Sequence, residues 1–186
     1  MSIGQTVHRV NGIDMQTLKS TIDAIRKDPA MGSCKFHVRN QWVEGNHNRT
    51  TVASFYTAKQ KMTHKQPFEL HADEPPILAG EDQAPNPVEH LLNALASCLT
   101  TSMVAHAAVR GIELDEVESE VEGDIDLRGF LGLAEDVPKG YQQIRVKFKV
   151  KSRDADADKL QSLAQFSPVY NTLLNGVKVD LQVTPK

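Results

Sequence analysis

Hydrophobic residues recur along this chain at two spacings, and each change of spacing marks a new element. Met15, Leu18, Ile22 and Ile25 share one helical stripe, which predicts a helix over Met15–Lys27 with Asp14 as its N-cap. Asp28-Pro29 stops it. From Ser33 the period falls to two. Cys34, Phe36, Val38, Asn40 and Trp42 alternate with Lys35, His37, Arg39, Gln41 and Val43, so a strand is expected with Cys34 facing inward. The turn Gly45-Asn46-His47-Asn48 should reverse the chain into a second strand over 49–58. The polar, basic run 59–65 is expected as a hairpin tip or loop, and 67–72 as a short third strand. Pro75, Pro76, Pro85 and Pro87 then forbid regular structure through a long loop. Such a loop either borders a binding site or simply crosses over.

The next stretch, 86–110, reads as one long helix with clear ends. Asn86 suits the N-cap, Pro87 the first helical position, and Glu89 the reciprocal place in a capping box. Arg110 complements the negative end, and Gly111 suits the left-handed residue that closes it. Nearly every side of this helix is apolar or small, which predicts burial on most sides. Near its middle lies Cys98. Glu89, His90 and His106 are too far along the axis, or on the wrong side, to touch it, so any activating group must come from elsewhere in the fold or from another chain.

Beyond Gly111, Val117, Ser119, Val121, Gly123, Ile125 and Leu127 alternate with Glu116, Glu118, Glu120, Glu122, Asp124 and Asp126. A later strand is the complement, with Ile144, Val146, Phe148 and Val150 inward and Arg145, Lys147, Lys149 and Lys151 outward. Pairing these two strands sets acid against base, which accounts for the basic run without nucleic acid. Between them Phe130, Leu131 and Leu133 form an apolar cluster suited to cover a pocket or a partner. A helix follows the Asp154–Asp158 acidic run, and Ser167-Pro168 repeats the cap logic for a short helix ending at Asn175-Gly176. Val177, Val179, Leu181 and Val183 are expected as a closing strand. The order of elements means α+β.

Composition narrows the function classes. The 186 residues suit a single domain over 1–186, with 1–30 as an N-terminal helical extension. A formal net charge of −3 gives no global attraction to nucleic acid or to an anionic membrane. Two cysteines are too few for a disulfide scaffold and point to a reducing, cytoplasmic setting, and the first residues carry no signal-peptide run. The seven histidines show no metal-ligand spacing, and no phosphate loop or dinucleotide fingerprint is present, so no metal and no cofactor are expected.

Two motifs, NPVEHLLNALASCL around Cys98 and FSPVYNTLLNGVKV near the end, together with the strand order between them, resemble the OsmC/Ohr family. The resemblance implies an OsmC-like fold, with antiparallel sheets wrapped around long central helices in an intertwined homodimer whose active sites lie at the subunit interface. It also implies thiol-dependent reduction of organic hydroperoxides. Three positions depart from the family pattern. Ser167 stands where the usual enzyme has a second cysteine. The first hairpin turn lacks the family arginine, with Arg49 nearby. The family glutamate falls at Val88, beside Glu89. One expected function is therefore a one-cysteine peroxidase recycled by an external thiol reductant. Its catalytic residues are Cys98, with Arg49 or Arg39 as the cation and Glu89 of the partner subunit to orient it. The other is a non-enzymatic dimer that binds a hydrophobic small molecule, with Ser167 as a cap, Cys98 as a pocket wall and Phe130, Leu131 and Leu133 as a lid.

Overall fold

The first element in the computed structural model, which describes residues 7–185, is a small hairpin absent from the sequence expectations. It joins β1 (Arg9–Val10) to β2 (Ile13–Asp14). Asn11, at its turn, donates from Nδ2 to the Ile112 carbonyl at 3.0 Å and accepts from the Leu114 amide at 2.9 Å. The chain divides into two units, one built on Asp14–Leu91, the other on Leu92–Lys186 with Arg9–Ile13.

The first unit begins with α1 (Met15–Lys27). Asp14 caps it as expected, accepting from the Gln16 and Thr17 amides at 2.9 and 3.1 Å. The strand expected from Ser33 is instead two pieces, β3 (Lys35–Phe36) and β4 (Arg39–Glu44). Both pair with β5 (His47–Thr57), but their registers differ by one residue across the gap at 37–38. Cys34 falls before β3 and is exposed, so the inward reading of it is wrong. Its position is set by the turn after α1, and its sulfur meets the Thr57 hydroxyl at 3.1 Å.

The expected loop at 59–65 is also overturned. The chain reverses at Ala58 and Lys59, both with positive φ (48° and 64°), the backbone a tight two-residue hairpin needs. A single strand, β6 (Gln60–Ala72), then pairs with β5 through residues 60–63 and 68–72. Pro67 fits within it because the register shifts between Val52 and Ser54, which leaves the residues around Pro67 outside the ladder.

α2 (Pro87–Val109) begins in the first unit and continues through the second. Its capping box forms as read from sequence. The Glu89 amide donates to Asn86 Oδ1, and the Asn86 amide donates to the Glu89 carboxylate, each at 2.8 Å. Gly111 ends the helix at φ 71°, and the Ile112 amide closes on the Ala107 carbonyl. Burial differs from expectation. One stripe alone, Leu95, Leu99, Met103 and Ala107 with Ala108, is fully buried. α2 is the one helix among the described residues long and apolar enough to cross a membrane, yet its buried stripe belongs to a protein core.

β7 (Leu114–Asp124) and β8 (Gln143–Ser152) pair antiparallel. Glu116, Glu118, Glu120 and Glu122 stand opposite Lys151, Lys149, Lys147 and Arg145, as the sequence required. Arg145 also bridges Asp124, at 2.6 and 2.7 Å. β7 stops at Asp124, and Leu127 opens α3 (Leu127–Phe130) rather than extending the strand. Val117, Val121, Ile144, Val146, Phe148 and Val150 pack on the core of the α2 stripe and of α4 (Ala157–Ala164). α5 (Pro168–Asn175) follows. The closing strand does not form, because residues 177–183 find no strand to pair with in this unit.

Leu163 of α4 is 1% exposed in that core. Leu163→Ala should lower unfolding free energy by about 2–5 kcal/mol, read as a shifted urea midpoint at unchanged slope.

Candidate functional site

Cys98 lies on the flank of the α2 stripe, one position before Leu99 and three after Leu95. That place on the helix leaves its side chain half-buried rather than sealed. Among the described residues its thiol makes no hydrogen bond, although its carbonyl accepts from the Thr101 hydroxyl at 3.4 Å. Ser97 and Thr101 bond back to the helix carbonyls one turn earlier, so their hydroxyls are spent locally.

Arg49, Glu89 and Ser167, among the other sequence candidates, have partners of their own. In the first unit, Arg49 sits on β5, 3.4 Å from the Gln41 side chain and 3.9 Å from the Glu69 carboxylate. Glu89 is closed on Asn86 in the capping box. In the second unit, Ser167 is fully buried and caps α5, accepting from the Tyr170 amide at 3.1 Å. Phe130 and Leu131 stand exposed at the end of α3. Cys34 borders a cavity of about 700 Å³ between α1 and the β5–β6 turn.

Sequence reasoning missed the residue that orders the approach to α2. Asp73, 1% exposed, accepts from the amides of Glu74 at 2.8 Å and of Glu81 and Gln83 at 3.2 Å. The Glu74 amide, then those of Gln83 and Glu81, hold its carboxyl below the ordinary range against the opposing effect of burial, with positive charge on His47 adding to the lowering. Gly80 permits the fold-back, since a Cβ there would meet the Glu74 carbonyl at 1.7 Å. The proline run announced the loop, and only an Asx reading of Asp73 ahead of it would have named the anchor.

Beside this loop His47 Nε2 and His71 Nδ1 lie 2.9 Å apart, and His90 Nε2 reaches the His71 carbonyl at 2.8 Å. The Asn46 side chain donates to the Leu78 carbonyl, so the hairpin turn is tied to the same loop. Among the described residues no group of three or more His, Cys, Asp or Glu is placed to hold a metal ion. In the second unit His106 stacks on Phe166 with centroids 4.0 Å apart and meets the Arg110 guanidinium at 3.1 Å. Burial, then Arg110, holds His106 below its ordinary 6.5.

The sequence matches the model of the family described as OsmC-like protein over residues 80–182. The chain belongs to the OsmC-like family. Solved structures of the same fold include the OsmC-like protein of Mycoplasma pneumoniae, 19% identical, with TM-score 0.56 over 81% of this chain and 96% of that one. A protein from Psychrobacter arcticus 273-4, named for osmotic stress and detoxification responses, is 17% identical, with TM-score 0.53 over 73% and 85%. An OsmC-like protein of unknown function from Vibrio cholerae O1 is 11% identical, with TM-score 0.53 over 74% and 92%. No curated protein matches this OsmC-like sequence.

Two outcomes follow. In Asp73→Ala the Glu81 and Gln83 amides should exchange with solvent about tenfold faster. Because folding lowers the His106 pKa, protons favour the unfolded chain. Stability should therefore fall as pH drops from 6.5 toward the folded value and level off below it. His106→Gln should flatten that segment of a urea-midpoint profile.

Proposed function

We propose that this OsmC-like chain is a one-cysteine, thiol-dependent reductase of organic hydroperoxides, working as a soluble cytoplasmic homodimer in oxidative-stress defence. The observation that carries the reading is Cys98, a half-buried thiol on the long helix of an OsmC-like chain and engaged in no hydrogen bond among the described residues. The Cys98 thiolate attacks the terminal peroxide oxygen, the O–O bond breaks, and the alcohol leaves after taking a proton. The sulfenic acid left on Cys98 is reduced by two equivalents of external thiol, which release water and become a disulfide. Ser167 cannot serve as a resolving thiol, which is why the reductant must be external. Arg49 is the cation assigned to the thiolate, and Glu89 the carboxylate assigned to orient it, both at the seam between copies.

Exposed apolar surface supports the homodimer. Phe36 and Trp42 of the first unit are 76% and 73% exposed, with Phe68 and Leu70 exposed on the same sheet. Large aromatic surface left open in a single copy marks an interface. A second reading, a non-enzymatic dimer that binds a hydrophobic small molecule, is favoured by one observation. Among the described residues of its own unit no cationic side chain is bonded to the Cys98 thiol, so it need not be a reagent.

With an alkyl hydroperoxide and excess dithiol, the wild-type protein should consume peroxide, Cys98→Ser should lose that activity by about two orders of magnitude or more, and Cys34→Ser should keep it. Unchanged peroxide, with Cys98 still a free thiol by mass spectrometry, contradicts the enzyme and leaves the binding role.

A further inference from the structure

The cavity of about 700 Å³ that Cys34 borders has no part in the chemistry assigned to Cys98. One wall is α1, which lies outside the family match over residues 80–182. The volume suits a small organic molecule. Two ties fix its frame. Asp28, the cap at the end of α1, is ion-paired with Lys59 at the β5–β6 turn, so each charge is compensated by the other. The Cys34 sulfur meets the Thr57 hydroxyl of β5 at 3.1 Å.

Among the described residues no side chain lining this cavity carries a charge, in a chain where 24% of residues are charged. An ion entering it would shed water without meeting a counter-charge in the wall, so the wall selects uncharged molecules. The α1 wall is more selective still. Thr17 donates its hydroxyl proton to the Asp14 carboxylate at 2.9 Å, and Thr21 donates its own to the Thr17 carbonyl at 3.1 Å. Each hydroxyl oxygen therefore has only lone pairs left to offer. The two residues stand one helical turn apart, roughly 5–6 Å, on one face of α1. Ile25 and Met31 add apolar surface to the same cavity.

We propose that this cavity binds a small, uncharged organic molecule, whose O–H or N–H donors reach Thr17 and Thr21 and whose apolar side lies against Ile25 and Met31. Cys34, an exposed part of the wall, reports occupancy and takes no part in recognition. The inference stands apart from the reading of Cys98 as a reagent, since every group it uses belongs to the first unit.

The full chain carrying Cys98→Ser, with Cys34 as its one thiol, is titrated with bis(2-hydroxyethyl) disulfide, an uncharged probe with two hydroxyls. Mass spectrometry follows the mixed disulfide. The Cys34 thiolate attacks one sulfur of the probe, the probe's S–S bond breaks, and 2-mercaptoethanol leaves with the proton that Cys34 lost. Because binding precedes exchange, the rate should saturate, half-maximal at about millimolar probe for a molecule so small. The charged analogues cystamine and 3,3′-dithiodipropionate should give rates linear over the same range. Thr21→Val, which gives up only a bond to its own helix, should raise the half-saturating concentration about threefold or more. Ala24→Phe, which fills the cavity, should abolish saturation. A rate linear in the uncharged probe, saturation shared by the charged analogues, or a half-saturation unmoved in Thr21→Val would each overturn the proposal.

Discussion

Everything in the second unit leans on one stripe of α2. Leu95, Leu99, Met103 and Ala107 recur every four residues, and they alone bring the helix against Val117, Val121, Ile144, Val146, Phe148 and Val150 and against Leu160 and Leu163. The stripe is narrow for a helix so apolar. An apolar helix buried along one face leaves the remainder for something else to cover. Cys98 sits on the border between the covered and uncovered sides, and its chemistry depends on what lies across that border.

The first unit has a different organiser. It prepares the start of α2 with polar groups. Asp73 gathers the amides of a proline-rich loop, Gly80 lets the chain double back, and the Asn86–Glu89 box receives it at the helix start. A helix whose first turn is satisfied by its own side chains begins at a fixed residue.

Features written in local chemistry were readable from the sequence. The caps Asp14, Asn86 and Ser167 each act within three residues of themselves. The acid–base ladder of β7 and β8 was readable because both rows announce their partner. Features that depend on distant chain were not. Nothing near Cys34 tells whether the strand starts before or after it, and the structure starts it after. β6 was hidden by basic residues that its pairing with β5 tolerates on an exposed sheet. The closing strand was expected from its alternation, but alternation supplies no neighbour. Of the site, the thiol and the Ser167 cap were legible. A cationic partner for that thiol was not legible: Arg49, named through the family resemblance, stands in a different unit of the chain, against Gln41 and Glu69.

The central claim is that the uncovered side of α2 and the open apolar surface of both units are covered by a second copy of this chain. Sedimentation equilibrium of the intact protein at micromolar concentration tests it most directly. The account predicts twice the 20.6 kDa chain mass, unchanged on moderate dilution. A mass of one chain across that range would contradict it.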